Sequence, residues 1–554
     1  MYKVILPNGT EQEYSEETTL LDISKEFADG FSSPIVSGLI NGEEKDLQYK
    51  ITDGARVGFI ELASPLGMRV YTSSLIMVLY TAMLECLPGL PHLLVKSQFS
   101  NNVYCEAVTE ELLPEDYIDI LRKRMQEIID QNEPIIYQRI SRIVTEKILK
   151  KQGNYDRLGL IGQLDPDKET ISSYSCRGVQ AYFFSPMVPY AGYLKSFDIM
   201  EYHGRILLRY PAAKNPFVME PFVNQPKLSE ALAESEKWNR IIGCDTINKL
   251  NNIIKEGGIT SIIKVAEALH EKKIASIADM IAAAGKKAKV ILIAGPSSSG
   301  KTTFAQRLKI HLQVNGIVPV PLSIDDYFHN RENTPRKPNG DFDFESIHTI
   351  DLKLFNDDLK KLLDGEEIDA PTFNFKKGCR EYNGNKMSVK EGQPLLIEGI
   401  HGLNDMLTSV VPLDEKIKIY ISPMAQLRMD NHNLVDKTDI RLMRRMVRDN
   451  RTRGHDARGT IRQWQYVLEG EEENIYPFQE SASVMFNTAL IYEMGVLKKY
   501  AQPLLKEIKN DEPEYTTAKR LLNLLDYVES IEDSEVTRNS LLREFIGGSW
   551  FHEE

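Results

Sequence analysis

Val290-Ile291-Leu292-Ile293-Ala294-Gly295-Pro296-Ser297-Ser298-Ser299-Gly300-Lys301-Thr302 is the stretch whose reading decides the fold of this chain. Its first five residues are a short, apolar, β-branched run that predicts a buried strand, and the next eight are a complete Walker A phosphate loop. Behind it, Thr302 to Gln313 predicts a helix with Phe304, Leu308 and Leu312 on one face, stopped by Asn315-Gly316. Strand, glycine loop and helix in that order specify an α/β unit, a parallel sheet flanked by helices. Each part has a chemical purpose. The loop Gly295, Pro296, Ser297, Ser298, Ser299 and Gly300 lets backbone amides close around phosphates, and Lys301 reaches the terminal phosphates. The Thr302 hydroxyl can ligate Mg²⁺, and the helix N-terminus, with Thr303 in its first turn, adds partial positive charge. The expected ligand is ATP with Mg²⁺.

Two acidic positions follow. Val318 to Ile324 alternates apolar residues into Asp325-Asp326-Tyr327, and its two prolines lie at the start, where a missing amide costs least. A carboxylate at the C-terminal end of a strand beside a phosphate loop lies where open α/β sheets bind ligands, so Asp325 is a candidate to accept a proton from a substrate hydroxyl. Leu395-Leu396-Ile397 ends in Glu398-Gly399, a Walker B arrangement that can hold Mg²⁺ directly or through water. The third element is basic: Arg441, Arg444, Arg445, Arg448, Arg451, Arg453, Arg458 and Arg462, with 441, 444/445 and 448 spaced to share a helix face. In an acidic chain with a phosphate loop, this cluster reads as a lid over transferring phosphates, hinged at Gly454.

The chain has 554 residues, 42% of them hydrophobic, and a net charge of −13. That length predicts three or four domains, and that charge argues against broad nucleic-acid binding. No basic leader precedes a long apolar core and no run is long enough to span a bilayer, so a cytoplasmic protein without a membrane partner is expected. Five scattered cysteines fit reduced thiols.

Residues 1–63 alternate short strand-like runs with turns around a helix near Leu20 to Phe27, and resemble the TGS domain of threonyl-tRNA synthetases through Leu6-Pro7-Asn8-Gly9-Thr10 and Ile51-Thr52-Asp53-Gly54-Ala55. With five Lys/Arg against twelve Asp/Glu, this β-grasp module is not expected to bind RNA alone. Residues 64–225 predict an α+β domain with helices at Ser73 to Leu84, Glu115 to Asp130 and Tyr137 to Lys150. It resembles the second additional domain of the same synthetases, whose editing metal site would fall on Tyr71, Leu75, Cys176 and Gln180. One cysteine cannot rebuild such a site, so no zinc is expected. Residues 226–285 read as a helical linker, in which Asn248-Lys249-Leu250-Asn251 is taken as helix surface. Residues 286–500 form the phosphate-loop unit and 501–554 a helical tail. The front domains are expected to be separable from the chemistry.

The phosphate-loop unit is similar to the uridine kinase family. The resemblance covers roughly residues 288 to 495 and is carried by Gly295 to Thr303, Ser323 to Phe328, Phe342-Asp343-Phe344-Glu345, Pro371 to Phe375, Ile397-Glu398-Gly399-Ile400 and Arg444 to Asp449. It implies phosphorylation of a ribonucleoside 5′-hydroxyl, uridine first and cytidine next, with Asp325, Lys301 and Arg448 catalytic. It places Tyr327, Glu345, Phe373, Phe375 and Arg448 with Asp325 around the nucleoside, Arg453 with the loop on ATP, and Thr302 with Glu398 on the metal. Positions that read the base in animal-type members fall near Phe373 and Gly378, which lack the polar groups. A homo-oligomer is the expected assembly. The competing readings are another small-molecule kinase of the phosphoribulokinase/uridine kinase superfamily, and an RNA-associated regulatory ATPase.

Overall fold

The strands Val290–Ala294, Val320–Ser323 and Leu395–Glu398 run parallel in register, with Ile293 and Ser323 both paired to Glu398 across the sheet. Their C-terminal ends are therefore level, and whatever follows them converges. The computed structural model that shows this describes residues 1–164, 169–337, 340–374, 376–424 and 427–551. Lys416–Ser422 and Val484–Asn487 complete a five-stranded parallel sheet in the order Val320–Ser323, Leu395–Glu398, Val290–Ala294, Lys416–Ser422, Val484–Asn487. Val290–Ala294 lies at its centre and is buried throughout, as a strand covered on both faces requires. Pro321 is tolerated inside Val320–Ser323 because that strand is at the edge.

The phosphate-loop helix, Lys301–Val314, packs Phe304, Leu308 and Leu312 against Ile274, Ile277, Ala278 and Ile281 of the long helix Ile259–Ala284. Residues 226–285 are thus more than a linker, since their last helix supplies one wall of the core beneath the phosphate-loop helix. Asn251 also corrects the sequence reading. It is fully buried, donating to Gln163 Oε1 at 2.7 Å and Tyr527 O at 2.7 Å, and accepting from the Glu529 amide at 2.9 Å.

The front of the chain folds as expected in outline. Tyr2–Ile5 pairs antiparallel with Glu11–Tyr14, and Ile35–Ile40 lies between Glu43–Lys45 and Val57–Glu61. Helix Leu20–Phe27 starts on a capping box of Thr19 and Asp22. The next helix is longer than its apolar periodicity suggested. Ser64 caps it and Pro65 opens it, so it runs Pro65–Cys86. Residues 137–141 were expected to be helical and are not: Ile135–Ser141 is a strand paired antiparallel with Thr170–Cys176, and the helix begins only at Arg142. The four editing-site positions are absorbed into packing. The Tyr71 hydroxyl donates to Ser196 O at 2.9 Å, Leu75 is fully buried, Gln180 donates to Ser173 Oγ at 3.0 Å, and burial pushes the Cys176 thiol up to about 11.

The front domain is not a loose appendage. Arg69, near the start of Pro65–Cys86, reaches Asp439 Oδ2 at 3.4 Å, and Arg520 of the tail binds the same carboxylate with both of its terminal nitrogens. Burial alone would raise the Asp439 carboxyl, but Arg520 and Arg69 together hold it low. The Val95 amide donates to Asn431 O at 2.8 Å, and the buried Arg157 and Asp430 are 3.6 Å apart. Among the described residues no helix is long and apolar enough to cross a membrane.

Candidate active site

The phosphate loop closes where five apolar residues end and a helix begins. Gly295 has no alternative there, because a Cβ would lie 2.0 Å from Ile421 O on the neighbouring strand. Ser298 adopts φ +59°, a conformation uncommon outside glycine that is stored at functional turns. The hydroxyls of Ser298 and Ser299 are buried without a hydrogen-bond partner, and such orphaned donors suit phosphate oxygens. Thr302 Oγ1 donates to Glu398 Oε1 at 3.2 Å, so the two expected metal-binding positions are already side by side. Among the described residues no three His, Cys, Asp or Glu side chains are grouped to hold a metal. A hydroxyl and one carboxylate nonetheless fit Mg²⁺, which completes its octahedron with water and substrate phosphates.

Three carboxylates face this loop. Asp325 follows the tip of Val320–Ser323. Its side chain is solvent-accessible, yet the surrounding protein withdraws enough water to raise its carboxyl, with Lys301 acting in the opposite sense. Burial pushes Glu398 up to about 7 against the pull of Lys301, and pushes Glu345 to about 7 with Glu471 adding to the rise. Glu345 packs on the helix Ala457–Asn474 at Gly470, where a Cβ would meet the Glu345 Cβ at 2.3 Å. Lys301 is lowered by burial, opposed by Glu398, Glu544 and Asp325, and its Nζ donates to Gly295 O at 3.0 Å and Pro296 O at 3.1 Å.

The arginines divide in a way their spacing did not show. On the helix Lys437–Thr452, Arg441 and Arg444 are fully buried and already neutralised. Arg441 pairs with Glu471 and donates to Ser297 O at 2.9 Å, while Arg444 pairs with Glu493 at 2.6 Å and donates to Thr488 O at 2.9 Å. They hold the phosphate loop in place instead of closing over phosphates, which corrects the expectation for these two. Arg458 and Arg462 are tied to Glu512 and Glu514 of the tail. Arg445, Arg448 and Arg453 all lie against the single carboxylate of Asp449, at 3.3, 2.8 and 3.6 Å, and so carry excess positive charge beside the loop. Arg445 Nη1 also donates to Ser297 Oγ at 2.9 Å.

Tyr327 is a second correction. It is fully buried, its hydroxyl donates to Asp358 Oδ2 at 3.3 Å, and its ring packs edge-on against Phe355, so it supports the strand tip and does not face a ligand. The Phe373 amide donates to Asp326 Oδ1 at 3.0 Å and its ring meets Phe328 edge-on at 5.6 Å, which sets an aromatic pair against Asp326. Phe375 lies outside the described residues. Sequence reasoning missed Glu471. It is fully buried, accepts the Ser297 amide at 3.1 Å and the Tyr476 hydroxyl at 3.2 Å, and thereby fixes the loop.

A phosphate loop at the centre of a five-stranded parallel sheet, with acids on the neighbouring tips, defines a P-loop kinase fold. Residues 290–491 match the model of the phosphoribulokinase/uridine kinase family, so the C-terminal region carries a domain of that type. Among curated proteins, the chain is similar to a uridine kinase of Schizosaccharomyces pombe, 31% identical over 191 residues, covering 34% of this chain and 38% of the relative. It is also similar to the threonine–tRNA ligase of Syntrophotalea carbinolica, 28% identical over 213 residues, covering 37% of this chain and 32% of the ligase. The chain therefore spans between about a third and two fifths of the length of these relatives.

Proposed function

We propose that the C-terminal domain transfers the γ-phosphoryl group of ATP to the 5′-hydroxyl of a ribonucleoside in the cytoplasm, with uridine as first substrate and cytidine as second. The observation that carries this reading is Asp325, a cleft carboxylate two residues past a strand tip level with Glu398 and the phosphate loop. A nucleotide switch has no use for such a base, whereas a kinase needs one to take the hydroxyl proton as the oxygen attacks phosphorus. Lys301 neutralises charge between the phosphates, and Arg445, Arg448 and Arg453 stabilise what builds on the transferred group. Thr302 and Glu398 would hold Mg²⁺, which screens the triphosphate when bound. Glu345, with Asp325, is suited to accept ribose hydroxyls. Phe373 and Phe328 offer an apolar face to a base, and the hydrogen bonds to a pyrimidine edge come from elsewhere.

The test is a chromatographic product assay with ATP, Mg²⁺ and a panel of nucleosides. Uridine should give a 5′-monophosphate with stoichiometric ADP, and ribonucleosides should exceed their 2′-deoxy counterparts in kcat/KM. Slow ATP hydrolysis without any acceptor, stimulated by RNA, would replace this reading with a regulatory ATPase.

A further inference from the structure

We propose that the C-terminal segment around Glu544 is an internal competitor of the nucleotide, its carboxylate taking the place of a phosphate at the loop until the segment withdraws. This rests on the reading of residues 295–302 as the ATP site.

The first-turn amides of a helix have no acceptor within the helix, and in a phosphate loop they are the donors that receive phosphate oxygens. Here the Thr303 amide donates to Glu544 Oε2 at 3.1 Å. A carboxylate and a phosphate seek the same partial positive charge, and one donor position cannot serve both. Two independent contacts point the same way. Gly300, at φ +90°, is covered by Leu541, whose Cδ2 would lie 2.3 Å from a Cβ at that glycine. The Lys301 amine, which should extend to the terminal phosphates, is turned back onto the carbonyls of Gly295 and Pro296. Glu544 joins Glu398 and Asp325 in acting on that one lysine, which gathers three carboxylates where a triphosphate must enter.

The segment packs on the same helix that braces the loop. Leu541, Leu542, Phe545 and Ile546 are buried in the same core as Ile440, Met443 and Val447 of the helix Lys437–Thr452. The Phe545 ring lies 5.2 Å from the Arg444 guanidinium, and Arg451 donates to Glu544 O at 3.4 Å. Glu544 itself is only half-buried and hangs from this apolar anchor, flanked on its C-terminal side by Gly547 and Gly548, both at positive φ. Because Arg441 and Arg444 keep the arginine helix braced against the loop, it is the segment itself that must withdraw to free the Thr303 amide for a phosphate oxygen.

Calorimetric titration of the full chain with ADP in EDTA tests this without involving Mg²⁺. Glu544→Gln removes the charge and keeps the shape, and ADP affinity should rise about tenfold or more, the scale of a charged hydrogen bond no longer displaced. Leu541→Ala, which uncovers Gly300 without touching charge, should also tighten ADP. Glu544→Gln should in addition lower the thermal midpoint of the nucleotide-free protein, because a competitor also stabilises the loop it fills. ADP binding that is equal or weaker in Glu544→Gln while the wild type binds overturns the competitor and leaves the kinase reading standing. Absence of ADP binding in every variant overturns the nucleotide site and this inference with it.

Discussion

Glu471→Ala should loosen the phosphate loop from behind, and the structure sets the size of the effect. Glu471 is the ion-pair partner of the fully buried Arg441 and the acceptor of the Ser297 amide at 3.1 Å. Removing one member of a buried pair strands the other, which costs about 3–5 kcal/mol, and the orphaned amide adds a further penalty of about 1–3 kcal/mol. The two are not additive, because Arg441 keeps its bond to Ser297 O at 2.9 Å. Replacing both charges, as Arg441→Met with Glu471→Met, should recover the part of the loss due to the stranded charge and leave the Ser297 amide and carbonyl and the Tyr476 hydroxyl without these partners. Chemical denaturation can be followed by fluorescence, because Trp464 lies 5.2 Å from the Arg441 guanidinium and reports the local transition. Calorimetry of ATP binding should show weaker affinity in the single variant. A coupling energy below about 1 kcal/mol between the two positions would refute the idea that this pair anchors the loop.

Lys301→Ala should abolish phosphoryl transfer with the fold unchanged, and more than a tenth of wild-type turnover at saturating ATP would remove the loop from the chemistry. Asp325→Asn should cut kcat on the order of a hundredfold with ATP affinity little altered, whereas an equal loss of ATP binding would make Asp325 a structural or metal ligand. The Glu398 carboxyl, pushed to about 7, must lose its proton to hold Mg²⁺. The apparent Mg²⁺ affinity should therefore climb as pH rises toward 7 and level off above it, and a flat profile from pH 5.5 to 8 would contradict that placement. A chain beginning at Lys286 lacks Ile259–Ala284 and uncovers Phe304, Leu308 and Leu312, so light scattering should show aggregation; a monodisperse, active product would be the contrary result.

The phosphate loop, its strand and its helix were legible because their signal is local: five apolar residues, four fixed loop positions and a helical stripe all lie within 25 residues. The roles of the arginines were not, because charge compensation is non-local. Arg441 and Arg445 look alike on the helix, and it is a glutamate thirty residues on that neutralises the first, while the second shares Asp449 with two other arginines. Glu471 did leave a trace, since Ala457, Thr460, Trp464, Val467 and Glu471 are buried in alternating steps of three and four, placing an acid on an apolar stripe. Residues 137–141 were misread because strand pairing with Thr170–Cys176 overrides a weak helical pattern. Tyr327 lies two residues after Asp325, which the family resemblance placed at the ligand, and only its burial shows that it faces the other way.

Asp439 is held from both ends of the polypeptide, by Arg69 and by Arg520. A carboxylate shared between two guanidiniums keeps a partner when either is lost, but not when both are. Random mutation should therefore spare single losses at position 69 or 520 and punish the pair, a synergistic epistasis between sites that no sequence neighbourhood connects. A front module exchanged for that of a relative would bring the same hidden debt, silent until the tail also drifts.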